Sequence, residues 1–128
     1  MEMEGIVSVW AGVFETDKAL REYFDYMPGR DIPPFSQDFF DGCDIYPFDI
    51  DFSERSVHEF TVDPEVLVCH NSEGTDIGLE LKKLFPQGLE KPCNAAILVY
   101  NYKYDPEDGT PNPNAPVTFL GAVPCALD

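Results

Sequence analysis

The β-branched and aromatic stretch from Ile6 to Ala11 (IVSVWA) leads into Gly12. Such a run is the pattern of a strand buried on both faces, placed in the middle of a sheet. The period then changes. From Thr16, an N-cap followed by Asp17 in the first turn, apolar positions Ala19, Leu20, Tyr23, Phe24 and Met27 recur at helical spacing until Pro28 and Gly29 stop them. After the turn-rich link GRDIPPF, the segment SQDFFDG offers Ser36 as N-cap and Gly42 as terminator of a short helix.

In FDIDF, Phe48, Ile50 and Phe52 alternate with Asp49 and Asp51, the period of an extended segment with one packed and one wet face. Pro47 places it at an edge or in an irregular position. The stretch Val57 to His70 is ambiguous, with Val66, Leu67 and Val68 read as a short strand after a turn at Asp63 and Pro64. DIGLELKKLF carries Ile77, Leu81, Leu84 and Phe85 on one helical face and ends at Pro86 and Gly88. The runs AAILVYNYKY and VTFLGAV are predicted to pair as a long antiparallel hairpin across a proline-rich link. The expected fold is α+β: one domain over residues 1–128, a two-layer sandwich whose antiparallel or mixed sheet of about four to five strands carries two main helices on one face.

Composition changes this picture in one respect. An apolar fraction of 44%, with ten Phe, six Tyr and one Trp, supplies a full core. The charge is the outlying quantity: 24 acidic residues against 8 basic ones leave a net charge of −16. That field repels nucleic acid and anionic lipid and draws in cationic partners over a Debye length of about 8 Å. The start MEMEGIVSVWAG has neither the charge nor the length of a signal segment, and no stretch approaches a membrane span, so a cytoplasmic location is expected. Cys43, Cys69, Cys93 and Cys125 lie far apart without a CxxC pair, which suits reduced, mostly buried thiols.

Catalytic and metal motifs find little support. Counted from Asp49, the sixth position of a calcium loop is Glu54 and the twelfth Phe60, where Gly and Glu are needed. An irregular cation site using Asp41, Asp44 or Asp49 stays open. There is no GxSxG elbow, no P-loop and no GxGxxG. No cofactor is expected and the chain is not read as an enzyme.

What stands out is the stretch from Asp31 to Glu54, with seven acidic residues, no basic one, and six aromatic rings between them. Exposed ion pairs give only ~0–1 kcal/mol each, whereas aromatic anchors in the same surface supply hot-spot energy. The expected protein-binding site is therefore Asp38, Asp41, Asp44, Tyr46, Phe48, Asp49, Asp51 and Glu54. The competing reading turns the rings inward and leaves the carboxylates to hydrate the outside. Two further alternatives are a small enzyme using paired carboxylates or Cys69 and His70, and a nucleic-acid mimic with rows of phosphate-like carboxylates.

Several segments together resemble the immunity protein 22 family: VSVWAGVF with Trp10 and Gly12, TDKALREYF with Leu20 and Tyr23, FSQDFF, YPFDIDFSE, AILVYNYKYD and FLGAV. The resemblance covers nearly the whole length. It implies a bacterial antidote of a polymorphic or contact-dependent toxin system, a cytoplasmic non-enzyme that binds its own cognate toxin domain. A basic toxin, a nuclease among the options, fits the charge, and a monomeric inhibitor is expected. The family carries no catalytic residues over to this chain. Trp10, on a buried strand, is read as a core residue.

Overall fold

Both long apolar runs become the inner strands of one sheet. In the computed structural model, which describes residues 2–29, 32–40, 45–106 and 111–125, β1 (Glu2–Gly12) pairs antiparallel with β3 (Cys93–Tyr102), setting Trp10 opposite Ile97 and Ala11 opposite Ala96. Strand β2 (Ser53–Thr61) flanks β3 and β4 (Val117–Pro124) flanks β1, giving the order β2-β3-β1-β4 with every neighbour antiparallel. The α+β class and the antiparallel sheet are as expected. The hairpin between the last two strands is not, because β1 lies between them. A strand apolar on both faces is stable only with neighbours on both sides, and IVSVWA takes that place.

The layering also departs from expectation. Trp10, Ile97 and Val99 point to one face, packed under Leu20, Tyr23 and Phe24 of α1 (Asp17–Phe24) and Phe35 and Phe39 of α2 (Pro34–Phe39). Val7, Val9 and Leu98 point to the other, under Leu67 and Val68 of α3 (Pro64–Val68) and Ile77 and Leu81 of α4 (Gly74–Leu84). Helices therefore cover both faces, and the arrangement has three layers where two were predicted. The physical reason lies in the same two runs: successive side chains alternate faces, so an unbroken apolar strand needs cover on each.

Local chemistry sets the helix ends. The Thr16 hydroxyl accepts a 3.0 Å hydrogen bond from the Ala19 N–H and caps α1 as read from the sequence. Helix α2 starts on Pro34 instead of after Ser36, whose hydroxyl is buried and donates to the Ile45 carbonyl at 2.6 Å. Val66–Val68, expected as a strand, belongs to α3. Asp63 accepts from the Glu65 N–H at 2.9 Å and Pro64 takes the first helical position, so capping outweighs the β preference of the valines. Trp10 is fully buried, as expected; of the thiols expected to be mostly buried, Cys125 is buried, Cys93 is partly buried and Cys69 is exposed. Cys43 lies outside the described residues.

Candidate functional site

The acidic aromatic segment folds as a floor with a turn on top. Phe48 is only 6% exposed and packs on Phe24 and Phe40 at ring separations of 6.0 and 5.7 Å. Tyr46 is half-buried 5.6 Å from Phe48, and its hydroxyl accepts from the Tyr26 N–H at 2.6 Å. Burial pushes its phenol above the usual tyrosine range. Both rings, expected as binding anchors, thus hold the segment from below. Beyond them the predicted strand gives way to a 3-10 turn, Ile50–Phe52. Its cause is Asp49, whose side chain accepts from the Asp51 N–H at 3.0 Å and whose carbonyl accepts from the Phe52 N–H at 3.0 Å. The turn breaks the alternation and leaves Ile50 36% and Phe52 47% exposed beside the exposed Asp49 and Asp51.

The other carboxylates are tied into the structure. Asp38 accepts from the Tyr23 hydroxyl at 2.7 Å and from Asn112 Nδ2 at 2.9 Å, joining α2 to α1 and to the link before β4. Burial, with Asp38 adding to it, raises the Tyr23 phenol far above its ordinary value. Glu54 lies opposite Leu98 in the sheet and so sits on the α3–α4 face, where it accepts from the Tyr100 hydroxyl and from Ser72 N–H and Oγ at 3.1 and 3.0 Å. Tyr100 is raised by burial and then by Glu54. Asp41 and Asp44 lie outside the described residues. The structure therefore divides the predicted site: Asp38, Tyr46 and Phe48 serve one face, Glu54 the other, and Asp49, which caps the turn, and Asp51 are exposed at the sheet end. Arg55, the first basic residue after the acidic run, is held by Asp25 through two bonds of 2.8 and 2.7 Å.

The turn is a ridge between two clefts. On the Ile50 side a cleft of about 400 Å³ contains Tyr26, Tyr46 and the Asp25–Arg55 pair. On the Phe52 side a cleft of about 430 Å³ is walled by Glu2, Met3 and Glu4 of β1, by Asp49 and Phe52, and by Tyr102 at the end of β3. Its shape comes from an irregularity between Glu2 and Val7, where β1 slips against β3. Gly5 (φ 81°) and Asn101 (φ 56°) absorb the slip in left-handed conformations, and the Gly5 N–H donates to Asn101 Oδ1 at 3.1 Å. Sequence reasoning missed Glu2, Glu4, Ile50 and Phe52 as surface neighbours. An Asp two residues before a backbone N–H was the available signal for the turn; nothing local announced that Glu2 and Glu4 would lie beside it.

Elsewhere, His58 and His70 stack with ring centroids 4.4 Å apart, and burial together with His70 lowers the His58 pKa. Among the described residues no three His, Cys, Asp or Glu side chains are placed to hold a metal ion, and no helix is long and apolar enough to cross a membrane.

Comparison with curated proteins and with solved structures gave no match. The family described as Immunity protein 22 matches residues 7–124, a span running from the first inner strand to the end of β4. The chain belongs to the Immunity protein 22 family.

Proposed function

We propose that this protein neutralises a cognate bacterial toxin domain by binding it, without turning over a substrate, and that the 3-10 turn Ile50–Phe52 is the centre of the contact. The immunity role and a toxin partner follow from the family. The observation that carries the surface assignment is the turn itself: within the most acidic part of the chain, Ile50 and Phe52 stand out as an apolar ridge flanked by the exposed carboxylates of Asp49 and Asp51. Energy and steering divide between these groups. A ring that enters a partner's pocket supplies ~2 kcal/mol or more, whereas each rim carboxylate chiefly speeds encounter with a positive surface. The partner is accordingly a basic toxin domain, of which a nuclease with a cationic substrate cleft is one kind. The inhibitor acts as a monomer in the cytoplasm of the producing cell. Of the residues named from the sequence, Asp49 and Asp51 contact the toxin directly; Asp38, Tyr46, Phe48 and Glu54 hold the surface in shape.

The test is co-expression with the toxin domain encoded beside this protein's gene. The parent chain protects the cells. Asp51→Lys combined with Phe52→Ala loses protection while the protein stays folded by circular dichroism. Full protection by that folded double variant overturns the surface assignment.

A further inference from the structure

The geometry points to the outer edge of β2 as the place where an extended segment of the partner, alternating apolar with basic residues, adds as a further strand of the sheet. This inference rests on the proposed binding role and names the backbone contact that would accompany it, since Ser53 follows directly on the Ile50–Phe52 turn. Its base is an open edge. Among the described residues β3 is the only strand beside β2, and no backbone hydrogen bond from Glu54 to Phe60 leads outside the sheet. A row of unpaired N–H and C=O groups is a template for another chain. Five consecutive residues, Ser53–Val57, pair with β3 in continuous register before the irregularity that precedes Thr61, so the edge is regular over that length. The opposite outer strand is blunted: β4 carries Pro124, slips against β1 between Val9 and Trp10, and has Leu84 of α4 packed over Gly121.

Side chains alternate faces along β2, and that sets what the added strand presents. Ser53, Arg55 and Val57 lie opposite Val99, Ile97 and Ala95 on the α1–α2 face. There the cleft of about 400 Å³ opens along Ser53–Arg55, lined by exposed Tyr26 and Ile50 and half-buried Tyr46, and it takes apolar side chains. Arg55 is already paired with Asp25 and leaves no cation to repel a basic partner. On the other face stands Glu54, whose hydrogen-bond partners Ser72 and Tyr100 are neutral, so its charge meets a lysine or arginine of the added strand. Exposed Asp49, Asp51 and Glu59 extend the same sign along the edge. A second copy of this chain, itself at −16, is repelled there, and a basic segment is attracted.

The probe is an acetylated, amidated heptapeptide of alternating lysine and valine, titrated into the isotope-labelled full chain and followed by NMR, with the glutamate–valine heptapeptide as its acidic counterpart. Saturable shifts at Glu54–Val57 are expected with the lysine peptide in the millimolar range, together with Hα–Hα cross-peaks between peptide and strand, the signature of antiparallel pairing. The glutamate peptide should bind at least tenfold more weakly. Tyr26→Ala combined with Ile50→Ala should weaken the lysine peptide several-fold without shifting resonances of the Trp10 core. Absent saturation, shifts confined to residues away from β2, missing cross-peaks, equal binding of the two peptides, or undiminished binding by the folded double variant overturns the inference. So does sedimentation showing that the chain alone pairs through β2 into a dimer. Because no toxin is used, those failures leave the immunity reading standing. Peptide binding by a chain that gives no protection would instead remove the immunity reading alone.

Discussion

Two phenylalanines four positions apart in one segment should have opposite consequences when truncated. Phe48 is 6% exposed and touches the rings of Phe24, Phe35, Phe40, Tyr46 and Tyr102. Phe48→Ala leaves a cavity amid these rings that they cannot close without losing their mutual edge contacts, and the expected cost is ~3–5 kcal/mol. That is a large share of the ~5–15 kcal/mol that holds a typical domain together. At roughly 3–5 °C per kcal/mol for a chain of this size, the melting temperature should drop by about 9–25 °C. Phe52 is 47% exposed, so half its ring gains nothing on folding and Phe52→Ala should cost ~1 kcal/mol or less. Against the toxin the order inverts. Loss of a ridge ring worth ~2 kcal/mol weakens affinity about 30-fold. Urea unfolding and calorimetric titration on both variants give the four numbers. The reasoning is refuted if Phe52→Ala destabilises as much as Phe48→Ala, or if it leaves toxin affinity within threefold of the parent.

Three further outcomes are expected. His58 has a folded pKa below its unfolded value of about 6.5, owing to burial and His70; its contribution is fully present above that pH and is lost as pH falls through the window beneath it. His58→Gln should therefore flatten the decline in stability between about pH 6.5 and 5, measured by urea unfolding. Tyr23 and Tyr100 are both raised above 10.0 by burial first and then by Asp38 and Glu54 respectively, so their contribution is complete below pH 10 and falls as pH rises beyond it. Absorbance at 295 nm should show these two phenols ionising only as the chain unfolds. Gly12→Ala should cost more than ~2 kcal/mol, since an added Cβ there overlaps the Pro116 carbonyl oxygen and Val117, and backbone on both sides leaves little room to yield; a melting temperature within 3 °C of the parent would contradict this.

How far the sequence foretold this molecule depended on whether an element's partners lay nearby in the chain. IVSVWA announced an inner strand through its β-branched and aromatic character, AAILVY announced a strand but was paired with VTFLGAV instead of with β1, and Thr16 announced α1 through a cap formed within three residues. The same apolar runs also implied cover on both faces, which a two-layer reading contradicted. Strand β2 was missed at its start because SERSVHEFT is an edge strand with no fully buried position, so its pattern is weak. FDIDF read as extended until the Asp49 side chain is allowed to compete for the backbone N–H of Asp51. Composition did identify the acidic segment, but it could not divide its carboxylates into structural and free. Asp38 meets Asn112 across 74 residues and Glu54 meets Tyr100 across 46, pairings that only the assembled sheet creates. For the same reason the approach of Glu2 and Glu4 to Phe52 was invisible.

The most direct measurement of the central idea is amide hydrogen exchange on this protein, alone and saturated with its cognate toxin domain. Slowed exchange concentrated in residues 49–53 and 3–5 is the predicted result, with little change along α4. Slowing confined to α3 and α4, with the Ile50–Phe52 turn exchanging as freely as in the unbound chain, would place the toxin on the opposite face and contradict the account.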